Sequence, residues 1–206
     1  GRENSIIIVR SNKRANQYNQ QIRKTILSHD HKVCSGDLLM ITKNNYFWTS
    51  SDSEIPFLAN GDIIEILEIQ RIRELYGFEF AEVKIKMVDY NNQPPFDTII
   101  ILNTLDSDLP SLSFEQSNLL YHEIQKDYLN IKSKYKRFLK TKENPFFNAL
   151  HVKFSYAITC HKAQGGQWPV VFIEKPFLKD GPDIDYMRWL YTAVTRAESK
   201  LFLIGF

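Results

Sequence analysis

A chain of 206 residues, 43% hydrophobic and 24% charged, fits an ordinary globular protein of one large domain or two small ones. A net charge of +2 projects no global field toward nucleic acid, so any such surface must be local. Two cysteines, Cys34 and Cys160, exclude a disulfide framework, and no apolar run approaches the roughly 18 residues of a membrane span; a cytoplasmic protein with no membrane partner is expected.

Residues 5–9 (SIIIV) form a continuous apolar run, the pattern of a strand buried on both faces. Residues 12–27 follow with helical composition, carrying Ala15, Tyr18, Ile22 and Ile26 at three- to four-residue spacing. The βα pattern then breaks and resumes only with strands at 152–158, 170–173 and 201–204 and a helix at 187–197. This predicts a small parallel sheet interrupted after its first strand. Within the interruption, residues 33–105 read as short strands (38–42, 63–69, 80–88 and 98–102) punctuated by Gly36-Asp37, Asn44-Asn45, Asn60-Gly61-Asp62 and Asn91-Asn92. In 80–88, Glu82, Lys84 and Lys86 alternate with Ala81, Val83, Ile85 and Met87, so one face is wet, and a small barrel is expected.

Residues 106–149 read as helical. Ser113 and Gln116 have the spacing of a capping box. Leu120, Ile124, Tyr128, Ile131, Tyr135 and Phe138 form one stripe. Residues 126–142 hold seven basic side chains against one acidic, Asp127. This is either a solvated face or a phosphate-contacting arm interleaved with aromatics. Tyr46, Phe47 and Trp48 either fill the barrel core or stack bases.

Two C-terminal segments carry polar groups that a plain core does not need. Residues 157–168 (AITCHKAQGGQW) join a strand to a Gly-Gly turn through Thr159, His161, Lys162 and Gln164. The strand delivers Thr159 and His161 to the carboxyl edge of the sheet, where ligands bind in open α/β folds. Gly165 and Gly166 let the main chain approach a phosphate or ribose. Residues 191–205 (YTAVTRAESKLFLIG) open a helix with Thr192 and Thr195 and set Arg196 on its exposed side. Arg196 is either an arginine finger or a surface residue paired with Glu198 or Asp185. The alternative for the first segment is a tight turn around a buried histidine.

Together these segments resemble motifs V and VI of superfamily 1 DNA helicases, in the RecD-like and Dda-like branch. The opening IIIVRSNKRANQYNQQIR resembles the start of the second RecA-like motor domain of these helicases. SGDLLMITKNNYF with FLANGDIIEILEI resembles their SH3-like insertion. The resemblance implies an α/β, RecA-like parallel sheet (the second motor domain of a P-loop NTPase) over residues 1–32 and 150–206. An SH3-like barrel at 33–105 and a basic helical insertion at 106–149 interrupt it.

The resemblance further implies ATP-driven unwinding with 5′-to-3′ movement on single-stranded DNA. Thr159, His161, Lys162 and Asn12 would contact DNA, Gln164, Gly165, Gly166 and Gln167 would face ATP, and Arg196 would be the finger. ATP and Mg²⁺ are the implied cofactors. Single-stranded DNA, a first motor domain, and a nuclease or repair complex of the exodeoxyribonuclease V kind are the implied partners.

Two departures from the family pattern matter. Gln167 stands where a ribose-binding Glu is usual and brings no charge. No G-x-x-x-x-G-K-[ST] loop and no acidic magnesium pair occurs, so the chain is expected to be the C-terminal part of a longer protein, without ATPase activity of its own. The competing reading is a non-catalytic module that grips single strands or a protein. The H-x-H-x-x-C run at His29, His31 and Cys34 fits no zinc pattern, so no metal site is expected.

Overall fold

Residues 5–9, Ile-rich and uninterrupted, form Ser5–Val9 (β1) inside a four-stranded parallel sheet. The structure, a computed structural model, describes residues 4–49, 55–90, 92–179 and 181–206. The first three residues of the expected motor segment and Asn91 of the expected turn lie outside that set. The other strands of the sheet are Ala157–Thr159 (β7), Trp168–Glu174 (β8) and Ala197–Ile204 (β9), in the order β7-β1-β8-β9. Val9 stands beside Thr159, and Ser5 beside Val170, so β1 runs parallel to both neighbours. The chain leaves this sheet after β1 and returns at β7, as the broken βα pattern predicted.

The first helix, Asn12–Thr25 (α1), starts at Ser11, whose hydroxyl accepts from the Arg14 N–H at 3.2 Å. Arg14 Nε donates to Glu174 Oε1 at 2.8 Å, and the Tyr18 hydroxyl donates to the same oxygen at 3.0 Å. The Arg14 guanidinium therefore holds the Glu174 carboxyl below the usual carboxylate range. These bonds tie the first turn of α1 to the carboxyl end of β8.

The buried face of α1 runs through Ala15, Asn19 and Arg23, whereas Ile26 is 72% exposed. The expected stripe through Ile26 is thus displaced. Asn19 Nδ2 donates to the carbonyls of Phe154 (3.1 Å) and Ala157 (2.9 Å), and its Oδ1 accepts from the Ala157 N–H at 2.7 Å. The Arg23 guanidinium lies 4.2 Å from the centroid of the Phe154 ring. A buried amide satisfies backbone groups at a strand junction that an apolar side chain would leave orphaned.

The second unit, His31–Lys153, is built on a closed barrel. Leu38–Ile41 (β2), Ile63–Leu75 (β3), Phe78–Met87 (β4) and Phe96–Ile101 (β5) pair antiparallel in sequence. Leu150–Phe154 (β6) pairs parallel with β5, and the Thr42 N–H donates to the His151 carbonyl at 2.8 Å. Val83, Ile85 and Met87 are fully buried while Lys84 and Lys86 are exposed, as the alternation predicted.

The stretch 152–158, expected as a single strand, is divided. Its first half closes the barrel as β6; its second half, β7, joins the parallel sheet. Both halves are buried, so hydropathy gives no sign of the break at Ser155 and Tyr156.

The expected helical segment 106–149 likewise holds two helices, Phe114–Lys126 (α2) and Lys134–Lys142 (α3). Ser113 and Gln116 close the expected capping box, and Ser133 caps α3. Leu120 and Ile124 of α2 pack on Phe78, Phe80, Ile99 and Ile101, which cover the outside of the barrel. The stripe then fails: Tyr135 is 69% exposed. The remaining helix, Ile184–Val194 (α4), belongs to the parallel-sheet unit. Among the described residues no helix is long and apolar enough to cross a membrane.

Two outcomes are expected. Asn19→Ala, which strands buried backbone groups, should lower unfolding stability by about 2–4 kcal/mol in urea titrations, while Lys24→Ala on the exposed face changes it by less than about 0.5 kcal/mol. Burial, helped by the Lys43 charge, pushes His151 from 6.5 down to about 4. The imidazole is neutral when folded and charges more readily when unfolded, so its contribution is intact above pH 6.5 and lost as pH falls toward 4. The urea midpoint should fall across that window, and His151→Gln should flatten the fall.

Candidate functional site

The two polar segments meet at the loop between β7 and β8. Cys160 donates its N–H to the Val9 carbonyl at 3.2 Å, extending the ladder past Thr159. The chain then turns tightly: Lys162 N–H donates to Thr159 O at 2.9 Å, Ala163 N–H to Cys160 O at 3.2 Å, and Gly166 N–H to Ala163 O at 3.2 Å. Residues 160–165 are thus a run of turns. Cys160 and Ala163 are buried and anchor the loop, which leaves His161, Gln164 and Gln167 exposed and Thr159 and Lys162 half-buried. Burial lowers the Lys162 ammonium pKa.

Both glycines have structural reasons. Gly165 sits at φ +86°, a region that disfavours side chains. A Cβ on Gly166 would lie 2.5 Å from the Trp168 indole.

Arg196 lies past the end of α4, at its junction with β9. Thr192 is in the last turn of that helix and Thr195 is its C-cap. The second segment therefore closes a helix rather than opening one. Arg196 Nε donates to Thr192 O at 3.1 Å, Nη2 to Thr195 Oγ1 at 3.2 Å, and Nη1 to Gly166 O at 3.1 Å. In return the Trp168 N–H donates to Arg196 O at 2.9 Å. Asp185, one of the carboxylates considered for Arg196, pairs instead with Arg188 at 3.3 Å.

The partners of the guanidinium among the described residues are neutral oxygens. They orient the fork but do not cancel its charge, and two of its five N–H donors have no partner among the described residues. The same charge pulls the Cys160 thiol pKa down against burial, which is the larger effect and raises it.

The expected site residues separate into two groups. Thr159 ends β7 beside Val9, and Asn12 begins α1, so both stand at the carboxyl edge of the sheet. Gly165, Gly166 and Gln167 precede β8, and Arg196 precedes β9, so these stand at the amino edge. The register separates the edges by about 20 Å of strand at ~3.3 Å per residue. His161, Lys162 and Gln164 lie on the loop that crosses between them. Sequence spacing carries no information on this split.

Residues 154–204 match the family model of the UvrD-like helicase C-terminal domain. That segment holds the first polar motif and all but the last residue of the second. No curated protein sequence matches the chain. Among solved structures, Pif1 helicase from Candida albicans superposes with TM-score 0.50 at 11% identity, over 98% of this chain and 45% of that one. Pif1 helicase from Bacteroides, in complex with ADP-AlF3 and ssDNA, gives TM-score 0.51 at 10% identity, over 98% and 40%. A structure of two coordinating Pif1 helicases at forked dsDNA gives TM-score 0.50 at 11% identity, over 99% and 40%. At these identities the likeness establishes the fold, a RecA-like parallel sheet with helices. The chain spans less than half the length of these helicases.

Gly166→Ala should force the Trp168 indole out of place and cost about 1–3 kcal/mol by overpacking. A shift in tryptophan emission together with a lowered urea midpoint checks this.

Proposed function

We propose that this chain is the second motor domain of an ATP-dependent DNA helicase, with an SH3-like barrel and a basic helical segment inserted in it. The supporting observation is Arg196, a guanidinium aimed by Thr192, Thr195 and Gly166 yet carrying its full charge. Such a group suits the oxygens of a terminal phosphate held by another domain. Gly165, Gly166 and Gln167 lie at the same sheet edge. The main chain at Gly165 and Gln167 and the Gln167 amide would bind ribose and phosphate oxygens of ATP, with Gly166, whose N–H and carbonyl bond to Ala163 and Arg196, shaping the turn beside them and Gln164 on the adjoining loop. Bound ATP supplies the cleavable phosphoanhydride. Mg²⁺, its usual companion, has no ligand assigned in this chain.

At the carboxyl edge, Thr159 and Asn12 would bind the sugar-phosphate backbone of single-stranded DNA, with His161 and Lys162 beside them. The short loop 160–167 links the two edges. Any shift of Gly166 and Arg196 on phosphate binding is carried to Thr159 through three residues of tight turn on each side of Ala163. This couples a nucleotide cleft to a strand grip. The Bacteroides relative in complex with ADP-AlF3 and ssDNA has both ligand classes this reading requires. The reading follows the RecD-like and Dda-like resemblance in its finer points: 5′-to-3′ movement, a repair or nuclease complex as partner, and a cytoplasmic setting.

In protein that includes the ATP-binding motor domain, Arg196→Ala should slow ATP hydrolysis by about 10³-fold or more and leave single-strand binding within twofold. A loss under tenfold removes Arg196 from the finger role. The chain by itself should release no phosphate from ATP above background.

A further inference from the structure

The barrel unit holds a cavity of about 300 Å³ between the 43–48 loop, α2 and the start of β6. That is the small end of ligand-sized pockets, suited to one compact planar group. Its walls are partly aromatic. Tyr46, 69% exposed, stacks on Phe57 with centroids 5.0 Å apart, and Phe47 packs edge-on to Trp48 at 5.0 Å. Neither Tyr46 nor Phe47 is in the barrel core, whereas Trp48 is half-buried and packs on the cluster under α2.

The loop is held before any ligand arrives. Asn45 and Leu58 exchange backbone bonds at 2.9 and 2.8 Å, Asn45 Nδ2 and Trp48 Nε1 both donate to Asn148 O at 2.8 Å, and Asn44 Oδ1 accepts from the Asn60 N–H at 2.8 Å. A preformed loop saves the ordering entropy that binding otherwise costs.

The polar groups of the cavity are neutral hydrogen-bonders, with cations near its edges. The Leu112 N–H donates to His151 Nδ1 at 3.5 Å, so the proton of this neutral imidazole sits on Nε2 as a donor. The Asn44 amide nitrogen and the Ser117 hydroxyl add further donors on the wall. Lys43 lies at one side, close enough to disfavour protonation of His151. The Lys142 ammonium lies 4.6 Å from the centroid of Phe147, itself a wall residue, and continues the basic face of α3.

From this arrangement we infer that the barrel cavity is a subsite for one nucleotide of a single strand. The base lies against Tyr46 and Phe47 with its edge toward His151 and Asn44, and the flanking phosphates lie by Lys43 and Lys142. Aromatic faces alone would suit a peptide side chain, and cations alone any polyanion. Their combination around a cavity of this size suits a nucleotide. The inference rests on the reading of the chain as a strand-tracking motor part.

The test is photo-crosslinking of the whole chain to a single-stranded oligodeoxynucleotide carrying 5-iododeoxyuridine, with the labelled peptides identified, alongside binding measured by fluorescence anisotropy. The expected label falls on residues 43–47. Tyr46→Ala, a change at an exposed position, should remove it and weaken binding roughly tenfold, and Lys43→Ala should lower the salt slope by about one. Label confined to residues 159–164, with Tyr46→Ala binding like wild type, would overturn the subsite and leave the motor reading intact. Label at 43–47 with no effect of Thr159→Ala or His161→Ala on binding would support the subsite and count against the carboxyl-edge grip. Absence of binding and of any label would overturn both.

Discussion

The hydrogen bond from Arg196 Nη1 to the Gly166 carbonyl, 3.1 Å long, joins the two polar segments of the chain. Thirty residues separate Gly166 from Arg196, and the bond from the Trp168 N–H back to Arg196 O, 2.9 Å, runs beside it. The bond depends on the parallel pairing of β8 with β9, which sets Trp168 beside Ala197 and so places the residues before each strand at one edge. It depends also on Gly166 having no Cβ, because the Trp168 indole occupies that space. A carboxylate in the place of these carbonyls would hold the guanidinium as well but would neutralise it. Neutral acceptors orient the charge and leave it available to an anion.

The division of the site between two sheet edges gives the loop 160–167 its importance. A longer connection, or one with a full helix, would let each edge respond alone. Here buried Cys160 and Ala163 anchor a run of tight turns, with Thr159 at one end and Gly166 at the other. The Asn19 amide fixes the strand that feeds this loop by satisfying three backbone groups around Phe154 and Ala157. A buried polar side chain in α1 thus stabilises the fold and sets the position of the candidate strand grip.

Much of this was legible in the residues. The alternation in β4, the capping box at Ser113 and the apolar run of β1 have local causes, and the structure repeats them. The pairing of the two motif segments was legible from their residue types together. The break inside 152–158 was not, because both halves are buried and hydropathy registers burial without recording which sheet provides it. The buried face of α1 was misjudged because Asn19 and Arg23 are polar; only the backbone groups and the ring they meet explain their burial. The division of α2 from α3 was hidden by a stripe that continues in sequence through Tyr128 and Ile131 after the helix has ended. The barrel cavity had one visible sign, the Tyr46-Phe47-Trp48 cluster, but its walls come from positions about 70 to 105 residues further along the chain.

The central claim is that Arg196 acts on a phosphate presented by another domain. The most direct measurement is a crystal structure of the protein with its ATP-binding motor domain, loaded with ADP and aluminium fluoride. The account predicts the Arg196 guanidinium within about 3 Å of the fluoride ligands, with the Gly166 carbonyl still in reach of the same side chain. A nucleotide-loaded structure in which Arg196 keeps only Thr192, Thr195 and Gly166 as partners, with a different cation on the fluoride, would contradict it.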